Sequence, residues 1–160
     1  MLNIFRKKDG RTDEMRYAKE VIGMGPYGRI ETYKAEIRIF GTLQIIKESR
    51  VELTIAVSSD DPIEREVMRD PRIARAIKQA NMRGVGVLLF LPFEIHREIG
   101  HLFPEIALKV CDLRELSVIT ADNSLMTKIA VSDEGRAIFR FYRDTLSVMV
   151  VHDFFCENDL

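Results

Sequence analysis

The sequence contains few cysteines and no long hydrophobic run. Its two cysteines, Cys111 and Cys156, form no CxxC pair and have no metal-type spacing, which argues against a disulfide framework and a cysteine-based zinc site. We expect both to be reduced thiols in a cytoplasmic protein, with Cys111 buried. No window approaches the roughly 20 apolar residues of a transmembrane helix, and the first residues lack the apolar core of a secretory signal.

The sequence also lacks an excess of charge of either sign. Its 24 basic and 25 acidic residues give a formal net charge of −1, so we expect no general affinity for nucleic acid or acidic membranes without a local patch. Hydrophobic residues make up 46% of the 160-residue chain, which is typical of one globular domain. We assign residues 1–11 to a flexible basic N-terminus, 12–156 to the domain and 157–160 to an acidic tail.

The longest apolar run is GVGVLLFLPF at residues 84–93. It carries no charge, and a proline lies near its end. Because it is much shorter than a membrane span, it predicts a strand that is buried on both faces of a sheet.

Cap and turn signals predict the helices. Asp61-Pro62 begins a helix, Asp70-Pro71 restarts it with a kink, and Gly84 ends it. Pro92 begins the next helix. The three predicted helices cover about residues 12–22, 61–82 and 92–103.

Alternation of apolar and polar residues predicts the strands. Residues 29–40 alternate, Gly41-Thr42 resembles a turn, and residues 43–46 are expected to pair back. This long strand offers an edge to a second copy of the chain, so a homodimer is one expected assembly. Further strands are predicted at residues 51–57 and 116–120, while residues 106–111 fit either a strand or a helix.

The end of the chain has the pattern of a β-meander. Residues 129–131 and 136–142 are predicted to form a hairpin, and residues 146–155 a last, covered strand. We therefore predict a single α+β domain with a mixed, mostly antiparallel sheet and helices inserted between the strands.

Residues 23–28, GMGPYG, match the spacing of a dinucleotide-binding loop. That loop needs a strand before it and a helix after it, so that backbone N–H groups meet a pyrophosphate. Here the predicted order is helix then strand, and Pro26 removes one N–H. A flexible turn is the better interpretation.

Three aspartates are the sharpest enzymatic candidates. Asp60, Asp61 and Asp122 each follow a predicted strand. If those strands are parallel neighbours, the carboxylates would meet in one cleft, where they could hold Mg²⁺ for phosphoryl transfer or nucleic-acid cleavage. The alternative is that Asp61 caps a helix and Asp122 makes a turn. No cofactor is predicted apart from Mg²⁺ under this hypothesis.

The three histidines do not predict a metal site. His96 and His101 are five residues apart and so do not share a helix face, and the HExxH spacing is absent. His152 and Asp153 alternate to opposite faces of a predicted strand, which counts against a catalytic dyad.

Arginines at helical spacing form a basic face that could recognise phosphate or nucleic acid. Intervening acidic residues instead favour a solvated, partly neutralised face. The candidate binding residues are Arg65, Arg69, Arg72, Arg75 and Lys78.

The function favoured by these patterns is a small cytoplasmic, non-catalytic regulatory or adaptor module that binds a protein partner or a small ligand. The two alternatives are the aspartate-based metal-dependent enzyme and phosphate or nucleic-acid binding through the basic face.

Overall fold

The structure is a computed structural model. It describes the backbone of residues 27–32, 35–58, 62–111, 117–122, 125–131 and 137–142, together with Leu146 and Met149; side chains are described for 35–58, 63–111, 117–122, Leu146 and Met149. Several predictions concern residues outside these ranges. They are the flexible N-terminus, the helix at 12–22, residues 23–26, Asp60, Asp61, His152, Cys156 and the acidic tail.

The described chain forms seven strands and four α-helices. In chain order these are β1 (Tyr27–Thr32), α1 (Ala35–Glu48), β2 (Glu52–Ala56), α2 (Pro62–Arg69), α3 (Pro71–Met82), β3 (Gly86–Leu91), α4 (Phe93–Ile99), a 3-10 turn (Gly100–Leu102), β4 (Ala107–Val110), β5 (Ser117–Ala121), β6 (Leu125–Val131) and β7 (Ala137–Tyr142).

All seven strands belong to one mixed sheet with the order β1-β7-β6-β5-β2-β3-β4. Strands β2, β3 and β4 are parallel, and every other neighbouring pair is antiparallel. We call the edge where β2, β3 and β4 end the upper edge, and the edge where they begin the lower edge. The predicted α+β class with a mixed sheet is confirmed.

The apolar run at mid-chain forms β3, as predicted. β3 pairs with β2 on one side and β4 on the other. Val87, Leu89 and Leu91 join the main core, while Phe90 on the opposite face is only 1% exposed. The strand is therefore buried on both faces, which explains why its sequence does not alternate.

The predicted helices on either side of β3 are also present. Asp70 separates α2 from α3: its side chain accepts the N–H of Arg72 at 2.8 Å, and Pro71 occupies the first turn. At the far end of α3, Gly84 adopts a φ of +91°, a conformation that suits glycine because it has no Cβ. Local cap chemistry thus fixes both boundaries.

The predicted strand over residues 29–40 is wrong beyond its first part. β1 ends at Thr32, and α1 begins at Ala35 and continues through the expected turn at Gly41-Thr42. The alternation was misleading because Arg38, counted as a solvent-facing residue, is fully buried. Once Arg38 counts as inward, its spacing to the buried Thr42 and Ile45 is helical.

The C-terminal part is partly as predicted. β6 and β7 form the predicted hairpin, with Val131 opposite Ala137. Residues 106–111 contain a strand, β4. The predicted strand over residues 146–155 is contradicted at Leu146 and Met149, which are helical and exposed. None of the helices in the described part of the chain is long and apolar enough to cross a bilayer.

Candidate functional site

The upper edge is the usual position for a ligand site in a sheet of this kind, because parallel strands end there and helices begin there. β2 and β3 end at this edge, and α2 and α4 follow them in the chain. Ser58, just after β2, donates its N–H to Ser117 Oγ at 2.7 Å, and both residues are buried. This bond joins the segment after β2 to the start of β5.

A buried ion pair lies between the first turns of two helices at this edge. Arg38 of α1 donates to the Glu64 carboxylate of α2, and their side chains are 0% and 1% exposed. A guanidinium buried this deeply needs a carboxylate partner, because desolvation of an uncompensated charge costs several kcal/mol. Sequence patterns did not single out this pair, since Arg38 and Glu64 are 26 residues apart.

Asp122 lies at the lower edge. β5 runs antiparallel to β2, with Leu53 opposite Ala121 and Ala56 opposite Val118. The end of β5, which carries Asp122, is therefore opposite to the end of β2 that leads to residues 60 and 61. The hypothesis required parallel neighbours, and this requirement is not met. Asp60 and Asp61 themselves lie outside the described residues.

The Asp122 carboxylate is occupied by backbone donors. Its Oδ1 accepts the N–H of Val51 at 2.7 Å, of Glu52 at 3.1 Å and of Arg50 at 3.2 Å, while the Asp122 N–H donates to the Glu52 carbonyl at 2.8 Å. Burial raises the pKa of Asp122, but these N–H groups outweigh it and hold the pKa below its usual value. Asp122 acts as the turn residue that the alternative interpretation expected.

The central arginines of the basic face pair with carboxylates of neighbouring helices. Arg69 binds Glu98 through two bonds of 2.6 and 2.7 Å, which raises the pKa of Arg69 and lowers that of Glu98. Arg65 pairs with Glu94 one turn earlier. These two ion pairs join α2 to α4, so the arginines connect the two helices as well as facing solvent.

Arg72 has two acidic partners. It contacts Asp70, which caps the start of α3, and Glu36 on α1, with both Glu36 bonds at 2.9 Å. The side-chain bonds to Asp70 and then Glu36 raise the pKa of Arg72, and the bond from Arg72 lowers the pKa of Asp70. By contrast, Arg75 and Lys78 are exposed and make no ion pair with any described residue.

The remaining metal candidates are not brought together. His96 is half-buried on α4, and His101 is exposed in the following 3-10 turn. Across the residues for which side chains are described, no group of three His, Cys, Asp or Glu residues could hold a metal ion. Cys111, expected to be buried, is only half-buried.

A cavity of about 200 Å³ lies at the lower edge, between the end of α3 and the segment that enters β4. Lys78, Asn81 and Met82 line it from α3, while Phe103, Glu105 and Ile106 are among the residues that line it from the other side. The sequence pattern placed Lys78 in the basic face. It gave no signal for the opposite wall, because the two segments meet only in the folded chain.

No protein-family model and no curated protein matches this chain. Solved structures do match it. TrmBL2, an archaeal chromatin protein with a novel mode of DNA binding, gives a TM-score of 0.69 at 13% identity over 95% of this chain and 60% of TrmBL2. This chain thus spans 60% of TrmBL2's length.

Two further solved structures match over most of their own length. NucT from Helicobacter pylori gives a TM-score of 0.60 at 18% identity, covering 82% of this chain and 93% of NucT. Nuc from Salmonella typhimurium, a phospholipase D family member, gives 0.59 at 14% identity with the same coverages of 82% and 93%. Because all three identities are low, these likenesses establish the fold alone.

Proposed function

We propose that this chain is a non-catalytic regulatory module of the cytoplasm, which binds a small ligand or a protein partner and works within a nucleic-acid-associated protein. The proposal is supported chiefly by the Asp122 carboxylate, whose Oδ1 accepts three backbone N–H groups. A carboxylate engaged in this way stabilises the chain and is poorly placed to coordinate Mg²⁺ or act as a base.

Two other observations agree with this proposal. The buried Arg38–Glu64 pair joins α1 to α2, and Arg69 and Arg72 are engaged by Glu98 and Glu36. These arginines, which could bind phosphate, are thus engaged within the fold, whereas Arg75 and Lys78 make no ion pair with any described residue. The fold is also shared with TrmBL2, in which it covers 60% of a DNA-binding chromatin protein.

The purified chain should be assayed for hydrolysis of bis(4-nitrophenyl) phosphate and of labelled single-stranded DNA, with Mg²⁺ and with Mn²⁺. We expect no turnover above the protein-free control. The matched variant is Asp60→Asn with Asp61→Asn. Metal-dependent turnover that EDTA abolishes, and that this folded variant loses by about 100-fold or more, would contradict the proposal and support the aspartate hypothesis.

Direct binding of nucleic acid is a second candidate. The specific observation that favours it is the fold shared with TrmBL2. In this chain the binding would depend on Arg75 and Lys78, because the other arginines of the basic face are engaged by carboxylates. Two cations support only weak binding with a shallow salt dependence, because the slope grows with the number of phosphates that are neutralised.

A further inference from the structure

The residues that line the cavity at the end of α3 are mostly apolar. Phe103 is buried, and Ile106 packs against the main core as a half-buried side chain. Met82, which also lines the cavity, is 84% exposed. The apolar lining with a few polar groups is the composition expected of a small-molecule site.

The polar groups of the cavity carry opposite charges. Lys78 and Glu105 both line it, together with Asn81. Both charged side chains are exposed, and neither makes an ion pair with the other or with any other residue whose side chain is described. The cavity therefore offers a cation, an anion and an amide around one apolar space.

We infer that this cavity binds a zwitterionic apolar amino acid of about the size of leucine. The Lys78 ammonium and the Asn81 amide would bind the α-carboxylate, and the Glu105 carboxylate would bind the α-ammonium. The aliphatic side chain would lie against Phe103 and Ile106. A zwitterion presents an opposite charge to each charged group of the cavity. A purely anionic ligand would be repelled by Glu105, and a cationic one would be repelled by Lys78.

The inference rests on the proposed function, because it names the small ligand of a non-catalytic module. It also departs from the usual position of ligand sites in such sheets, since the cavity lies at the lower edge.

Four probes of related shape test it on the full chain: leucine, 4-methylpentanoate, which lacks the amine, 3-methylbutylamine, which lacks the carboxylate, and glycine, which lacks the side chain. Binding is measured as backbone amide shifts in ¹H–¹⁵N NMR titrations. We expect shifts at Lys78–Met82 and at Glu105 and Ile106. Leucine should bind at least about fivefold more tightly than either single-charge probe, and glycine should not bind.

Two variants assign the charges. Lys78→Gln should reduce the affinity for leucine to that of 3-methylbutylamine for the unmodified chain, and Glu105→Gln should reduce it to that of 4-methylpentanoate. Lys109→Gln and Glu66→Gln remove exposed charges outside the cavity and are the matched controls, which should bind leucine normally.

Three results would overturn the inference. They are equal affinities for all four probes, no leucine-induced shift at the cavity residues, and equal losses of leucine affinity in the variants and their controls. If leucine does not bind and the chain also cleaves no phosphodiester, the inference fails and the proposed function stands. Metal-dependent cleavage removes the proposed function, whatever the leucine titration shows.

Discussion

The Asp122 carboxylate accepts the Val51 backbone N–H at 2.7 Å, across 71 residues of sequence. Asp122 follows β5, and Val51 precedes β2. The bond therefore joins the end of one strand to the start of its antiparallel neighbour at the lower edge. Asp122 also has a positive φ of 56°, a conformation that Asp and Asn tolerate better than most residues. Charge and backbone shape both favour an aspartate here.

Replacement of Asp122 should reveal these two contributions. Asp122→Ala loses the three acceptor contacts and strains the left-handed backbone, so we expect the free energy of unfolding to decrease by about 2 kcal/mol. Asp122→Asn keeps one acceptor oxygen and the tolerated φ, and should cost less than about 1 kcal/mol. Urea denaturation measures both. Equal losses in the two variants would contradict the role assigned to the Oδ1 acceptor, which Asn retains.

The same residue predicts a pH dependence. The folded-state pKa of Asp122 is lowered, so its charge stabilises the fold at pH values above the unfolded pKa of about 3.9. That contribution is lost as the pH falls through the lower folded pKa. The difference in unfolding free energy between the unmodified chain and Asp122→Asn should therefore be constant near neutral pH and shrink below about pH 4. A difference that grows on acidification would exclude this assignment.

The buried Arg38–Glu64 pair predicts a non-additive pair of substitutions. Arg38→Met leaves Glu64 buried without this guanidinium, and Glu64→Leu does the converse, so each should cost about 3–5 kcal/mol. The double variant removes both charges and should lose less than either single variant. Unfolding of all four proteins, followed by circular dichroism, gives the coupling energy. Additive losses would show that the two side chains act independently.

Two glycines near the start of β3 form a matched test of backbone strain. Gly84 has a positive φ, and the space that a Cβ would occupy there is open; at Gly86 the atom nearest to that position is 3.7 Å away, an ordinary contact. Gly84→Ala should therefore lower the free energy of unfolding by about 1–2 kcal/mol through strain. Gly86→Ala should stay within about 0.5 kcal/mol of the unmodified chain. A larger loss at Gly86 would contradict the strain argument.

The basic face predicts different effects for its engaged and unengaged cations. Arg69→Glu with Arg72→Glu places acids beside Glu98 and Glu36, so like-charge repulsion should lower the midpoint of thermal unfolding modestly. Arg75→Glu with Lys78→Glu should leave that midpoint nearly unchanged.

Fluorescence anisotropy with a labelled DNA duplex at several salt concentrations tests the nucleic-acid candidate on the same variants. If the chain binds DNA directly, the Arg75/Lys78 variant should lose binding and the control Lys109→Glu should not. An unchanged affinity in the Arg75/Lys78 variant would contradict binding through these two cations.

Local signals in the sequence were sufficient for several elements of the fold. The uncharged run that forms β3 needs burial on both faces whatever surrounds it, and Asp70-Pro71 restarts a helix through contacts within one turn. Gly84 ends α3 for the same local reason. Each of these features depends on residues that are near one another in the chain, so composition and spacing reveal them.

The first helix and the contacts of the candidate site residues could not be predicted from local sequence signals. Arg38 has the spacing of a solvent-facing strand residue, yet Glu64 covers it in the folded chain. Asp122 has the position of a free carboxylate after a strand, yet antiparallel β5 brings it to the N–H groups of residues 50–52. Lys78 has the spacing of one cation in a helix face, and only the fold places Glu105 across a cavity from it.

The sequence by itself determined the buried strand β3, the break between α2 and α3 and the end of α3, because apolar runs, caps and glycines act over a few residues. Tertiary structure alone decided which charged side chains are engaged and which face a cavity. The physical reason is that a charge is stabilised by whichever partner or solvent surrounds it in the folded chain, and those surroundings come from residues tens of positions away.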